Sequence, residues 1–148
     1  MDSPVSPDNV AENKALIHRF YGEVWNQKTL DLLPEVLSPA FRWHEPYKTE
    51  DITDFEGAIA FLKMLFTAFP DYTIQIEDLF GESDRVAVRW LGNGTHLGEL
   101  KGIQPTGRAV SIPGMSIFCI EAGRITEYWT SLDSLLVMAE IGAFDSGN

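Results

Sequence analysis

The chain has one cysteine, Cys119, in 148 residues. That excludes an intrachain disulfide framework and fits a reducing, cytoplasmic setting. No apolar run approaches the roughly 18 residues of a membrane span. The opening MDSPVSPDN carries neither a basic region nor an apolar core, so no signal peptide is expected. Basic residues are scarce, 11 against 22 acidic, for a net charge of −11. Such a field repels phosphate backbones, and nucleic acid is not an expected partner. The three histidines, His18, His44 and His96, lack the H-x-x-x-H or H-x-H spacing of a metal site. There is no G-x-S-x-G elbow, no P-loop and no G-x-G-x-x-G after a strand. Cys119 sits among apolar neighbours and reads as core filler rather than nucleophile.

Hydrophobic residues make up 45% of the chain and aromatics 11%, enough for a globular core. The length suits one domain over residues 1–148, with 1–5 and 145–148 as loose tails. Ser6-Pro7 reads as a helix start. Apolar residues at Ile17, Phe20, Tyr21, Val24 and Trp25 then extend one amphipathic helix over 8–27. A short second helix follows over 29–37, with Pro34 in its first turn or marking a break. Next come a strand-like segment over 41–46, a polar loop, and a helix over 55–69 capped by Asp54. Alternation over 72–80 gives a half-exposed strand. A second strand covers 85–91, with a bulge expected at Gly92-Asn93-Gly94 and a continuation through 96–100. Strands over 111–121 and 124–131 close on a turn at Ala122-Gly123, and Asp133 caps a last helix over 134–141. Helices first, then an antiparallel meander, then a helix: this is an α+β roll, a cone of bent sheet around a cavity.

Acid–base groups among aromatics are the chemistry that remains. His44 sits where a strand enters a loop; it either exchanges protons or is hydrogen-bonded at the loop edge. His96 reads as structural or surface, and His18 as solvated. Asp133 is read first as a helix cap, with catalysis compatible if its carboxylate faces the cavity mouth. Trp25, Trp43, Trp90 and Trp129 would supply flat apolar walls or ordinary core. Tyr128 and Thr130 share one strand face, and Ser116 on the neighbouring strand can lie close to either.

Several segments together resemble the SnoaL-like polyketide cyclase and ester cyclase group. They are Glu12-Asn13-Lys14 with Phe20-Tyr21-Gly22-Glu23-Val24-Trp25-Asn26-Gln27, Phe41-Arg42-Trp43-His44-Glu45-Pro46, and Phe69-Pro70-Asp71. Asp84 to Trp90, Gly94-Thr95-His96-Leu97-Gly98-Glu99, Gly102 to Arg108 and Glu127-Tyr128-Trp129 complete the ordered set. The resemblance runs from about Glu12 to Phe144. It implies the NTF2-like fold, a homodimer formed through the sheet, and a cofactor-independent reaction on a hydrophobic small molecule. Family cyclases remove a proton alpha to a carbonyl, and the carbanion closes a ring. In the aldol cyclases an acidic residue follows the Trp of the last strand and pairs with a His on the adjacent strand. Here those positions hold Thr130 and Ser116, whose hydroxyls are not bases at neutral pH.

With that pair missing, His44 and Asp133 are the expected catalytic residues. Trp25, Trp43, Trp90, His96, Ser116, Tyr128, Trp129 and Thr130 are expected to contact a polyketide- or terpenoid-like substrate. Two other readings compete with this cyclase or isomerase. An epoxide-opening enzyme of the limonene-epoxide-hydrolase type would need Asp133 with Arg89 or Arg108 and a third member. A pocket that binds without reacting needs none of these.

Overall fold

The computed structural model describes residues 7–46 and 48–145. The expected Ser6 cap and the 1–5 tail lie outside them. Helix α1, Pro7–Arg19, runs directly into a π-helical segment, Phe20–Asn26. There the chain closes wider rings, as in the Gln27 N–H bond to the Gly22 carbonyl at 3.1 Å. The stripe expected from spacing is the buried face: Ile17, Phe20, Tyr21, Val24 and Trp25 are all at most 4% exposed. The short second helix is split into a 3₁₀ turn, Leu30–Leu32, and α2, Leu33–Val36. Pro34 occupies the first turn of α2, where no backbone N–H is needed.

Strand β1, Leu37–His44, begins earlier than the spacing of apolar residues suggests. It tolerates Pro39 because it is the edge strand of the sheet, its outer side bonded at the Trp43–Ile52 bridge four residues further on. Helix α3, Phe55–Ala68, starts at Asp54, whose side chain accepts the Gly57 N–H at 2.7 Å. Strands β2 (Thr73–Glu82), β3 (Arg85–Thr95), β4 (Ala109–Glu121) and β5 (Arg124–Leu132) follow, then helix α4, Ser134–Glu140. The sheet order is β1-β5-β4-β3-β2. All neighbours are antiparallel except β1 and β5, which run parallel. The α+β class and the mixed, bent, mostly antiparallel sheet are those expected.

Two local expectations are corrected. Gly92-Asn93-Gly94 is no bulge: all three residues pair regularly with β4, and the β2 irregularity falls between Ile76 and Asp78. Gly92 is needed for space, since a Cβ there would stand 2.2 Å from the Tyr72 hydroxyl. Nor does β3 resume through 96–100. His96 to Leu100 form a loop whose Leu97 and Gly98 N–H groups bond the Ala68 carbonyl at the end of α3. Asp145, placed by its sequence in a loose tail, accepts an ion pair from Arg108 at 2.7 Å; residues 146–148 lie outside the described range.

The core gathers where α1 and its π-helical extension cross the sheet. Phe20 makes ring contacts with Tyr21, Trp25, Trp43, Phe118 and Tyr128. Phe118 and Tyr128 stack with centroids 4.5 Å apart. On β4 the alternation is regular: Val110, Ile112, Ser116, Phe118 and Ile120 are buried, while Met115 and Ile117 are exposed. One face of the sheet therefore carries the helices and the other remains open.

Candidate active site

The β1–β5 ladder sets the site. Trp43 pairs with Tyr128, and His44 with Trp129. Because side chains alternate along a strand, Trp43, Glu45, Tyr128 and Thr130 turn toward the helices. Arg42, His44, Glu127 and Trp129 turn the other way. Glu45, Tyr128 and Thr130 line a cavity of about 40 Å³, room for a few waters. Trp25, Phe61, Phe69, Tyr72, Trp90, Ile112 and Val137 build most of its apolar wall.

Polar groups enter that wall at one side. Glu45 lines the cavity at 7% exposure and accepts the Trp43 indole N–H at 3.1 Å. Beside it, the Trp90 indole N–H donates to Ser116 Oγ at 3.0 Å, and Ser116 Oγ lies 3.1 Å from Thr130 Oγ1. The Tyr21 hydroxyl is buried near these groups and reaches hydrogen-bond geometry with none of them. Burial holds the Tyr21 phenol well above its usual pKa, and the neighbouring Tyr128 adds to the effect. Burial raises Tyr128 as well, followed by the charge of Glu45. Both phenols therefore stay protonated, as donors, at neutral pH. The Trp25 Nε1 is also buried without a partner. A buried donor left unsatisfied costs about 1–3 kcal/mol.

The cavity shares Glu45, Thr130 and Leu132 with a shallow surface groove that also contains His44, Lys48, Asp51 and Ser131. These three residues therefore separate inside from outside. A family model described as SnoaL-like polyketide cyclase matches residues 15–141. The chain belongs to this family.

Solved structures agree with that membership. A SnoaL-like polyketide cyclase from Jannaschia sp. CCS1 is 29% identical, with a TM-score of 0.83 over 96% of this chain and 99% of its own. IdmH from Streptomyces antibioticus, described as a polyketide cyclase, is 28% identical, with a TM-score of 0.76 over 88% of this chain and 98% of its own. AclR from Streptomyces galilaeus, described as a hydroxylase, is 25% identical, with a TM-score of 0.81 over 94% of this chain and 86% of its own. No curated protein matches the chain significantly.

Within this SnoaL-like cone the expected site residues separate into groups. Trp25, Trp90, Tyr128 and Thr130 line the cavity. Trp43 and Ser116 stand directly behind it, through Glu45 and Thr130 respectively. His96 is fully buried behind Phe69, with ring centroids 5.7 Å apart. Its Nδ1 lies 3.3 Å from the Thr106 nitrogen and 3.0 Å from the Thr106 hydroxyl. Trp129 lies on the outer face of the sheet, stacked on His44 at 5.3 Å.

His44 is held there between two carboxylates, with Nδ1 2.8 Å from Asp51 and Nε2 2.7 Å from Glu127. Neither His44 nor Asp133 lines the cavity. Asp133 is exposed and caps α4, accepting the Leu136 N–H at 3.0 Å. The arginines of the epoxide-opening reading are engaged elsewhere: Arg89 pairs with Asp78 at 2.8 Å and Arg108 with Asp145. Among the described residues no group of three His, Cys, Asp or Glu is placed to hold a metal. No helix among them is long and apolar enough to cross a membrane.

Glu45 and Tyr21 are polar residues of the site that the sequence does not single out. A signal for each existed. Phe41, Trp43 and Glu45 follow a period of two, and Tyr21 belongs to the buried helical stripe.

Proposed function

We propose that this SnoaL-like protein is a cofactor-independent cyclase or isomerase that moves a proton alpha to a carbonyl, with Glu45 as the acid–base group. One observation carries the reading: a carboxylate stands in a mostly apolar, aromatic wall, on the same face as a phenol that remains protonated. Water exclusion strengthens each electrostatic contact made there. Tyr128 is the donor to the substrate oxygen, while Ser116 and Thr130 orient the neighbouring wall. His44 and Asp133 act in this reading as supports, one for the outer side of the β1–β5 seam and the other for α4.

The cavity is far smaller than the roughly 300–1,000 Å³ of common ligand pockets, so a polyketide-sized substrate requires an opening. Val137 of α4 and Leu132 are part of the cavity lining. Helix α4 is short; Val137 packs it onto the core, Glu140 accepts the Ser111 N–H, and just beyond its end Asp145 pairs with Arg108. It is the element to move.

A small apolar ketone such as 2-tetralone tests the base directly. In D₂O the wild-type protein should catalyse exchange of its α-protons, followed by NMR. Glu45→Gln should lower that exchange by about 10²–10⁴-fold; an unchanged rate would remove Glu45 from the chemistry. The homodimer belongs to the same proposal. Met115 and Ile117 present exposed apolar surface on the open face of β4, at 60% and 45%. Sedimentation should give a dimer, and Met115→Glu with Ile117→Lys should give a monomer; a wild-type monomer would refute it.

A further inference from the structure

Among the described residues three buried side-chain polar atoms have no hydrogen-bond partner, and two of them, Tyr21 Oη and Trp25 Nε1, lie on the same π-helical segment. Such wide turns often occur at functional sites, and buried donors in folded proteins nearly always find acceptors. The Tyr21 ring is tilted 51° against Phe20, 5.3 Å away, and meets Phe118 edge-on at 5.9 Å, and Phe118 in turn stacks on Tyr128. Tyr128 stands on the cavity wall, on the same lining as Glu45. The protein thus keeps two phenols together in a dry place, the inner Tyr21 hydroxyl close to Tyr128 and Ser116 but short of hydrogen-bond geometry with either.

We propose that Tyr128 and Tyr21 form a two-tier site for the reacting carbonyl oxygen, with the α-carbon of the substrate seated toward Glu45. This rests on the reading of Glu45 as the base. As the α C–H bond breaks, its proton passes to the Glu45 carboxylate and its electron pair forms the C=C bond of an enolate. The C=O pair becomes the oxygen's negative charge. Tyr128 turns its O–H to that oxygen, and its own lone pairs then accept the Tyr21 O–H. In the closing step the enolate carbon either attacks a second carbonyl of the same molecule, forming the C–C bond, or takes back a proton. The new alkoxide or carbon receives the proton held by Glu45, and no oxidant or reductant is required. Tyr128 is the group in contact with substrate, and Tyr21 is a positioning residue acting through it.

p-Nitrophenol and nitrobenzene form a matched pair of probes, because only the first can place an oxyanion in the cavity. Absorbance titration should show that wild-type protein prefers p-nitrophenolate to nitrobenzene. Tyr128→Phe should cut phenolate affinity by about 10- to 100-fold and Tyr21→Phe by roughly three- to tenfold, both with nitrobenzene affinity unchanged. A merely structural tyrosine would move both ligands together. Glu45→Gln, uncharged like the protonated acid, should tighten phenolate binding. The proposal is overturned if the wild type shows no phenolate preference, or if both phenylalanine variants keep it within twofold. The Glu45 reading is tested apart: ketone exchange unchanged in Glu45→Gln, with phenolate selectivity still lost in Tyr128→Phe, removes the base and keeps the oxygen site.

Discussion

The two faces of the β1–β5 ladder hold similar residues in opposite circumstances. Inward, Glu45 and Tyr128 sit in an aromatic cavity under the helices. Outward, one residue away in each strand, His44 and Trp129 stack beside Asp51 and Glu127. The outer cluster contains more titratable groups, a histidine among them. Its partners are themselves partly solvated, and it does not touch the cavity. The inner face has fewer charges, and each acts on whatever enters. Position relative to the helices, more than residue type, therefore decides which proton is available to a ligand.

Changing one residue on each face should separate the two. The largest effect expected is the loss of ketone exchange in Glu45→Gln, set against His44→Gln, which should stay within about threefold of wild type. An equal loss in the two variants would show that the faces act as one unit.

A second contrast appears at high pH. The phenols of Tyr21 and Tyr128 have raised native pKa values because they are buried, whereas in the unfolded chain they ionise near 10. Raised native values mean that this contribution is complete below pH about 10 and declines as pH rises beyond it, since unfolding then releases protons. Thermal melts should show stability falling above pH 10 with a steeper slope in wild type than in Tyr21→Phe. Equal slopes would mean that Tyr21 is not buried in solution.

The smallest effect belongs to Asp133, the cap of α4. Asp133→Ala should cost about 1 kcal/mol through the lost cap, measured by denaturant unfolding. Ketone exchange should change only as far as α4 governs entry. A loss as large as that of Glu45→Gln would restore Asp133 to the chemistry.

Much of the architecture was legible in single segments. The stripe from Ile17 to Trp25, the Asp54 and Asp133 caps, and the turn at Ala122-Gly123 all rest on spacing or local chemistry, and all stand as expected. Gly92 misled because a glycine in a strand marks either a bulge or a close approach, and only the position of Tyr72 distinguishes them. His96 misled because the strand pattern gives no sign that residues 96–100 leave the sheet to meet the end of α3.

The sequence by itself determined the fold class, because periods of two and 3.6 and the order of elements depend only on neighbours along the chain. It also determined that Trp43 and Glu45 share a face, as do Tyr128 and Thr130. Only the tertiary structure decided which of those faces is the inner one. That choice depends on β1 pairing in parallel with a strand more than 80 residues away and on α1, with its π-helical turn, covering one side of the sheet. Local alternation is the same whichever side is covered, so the packing of distant segments placed Glu45 in the cavity and His44 outside it.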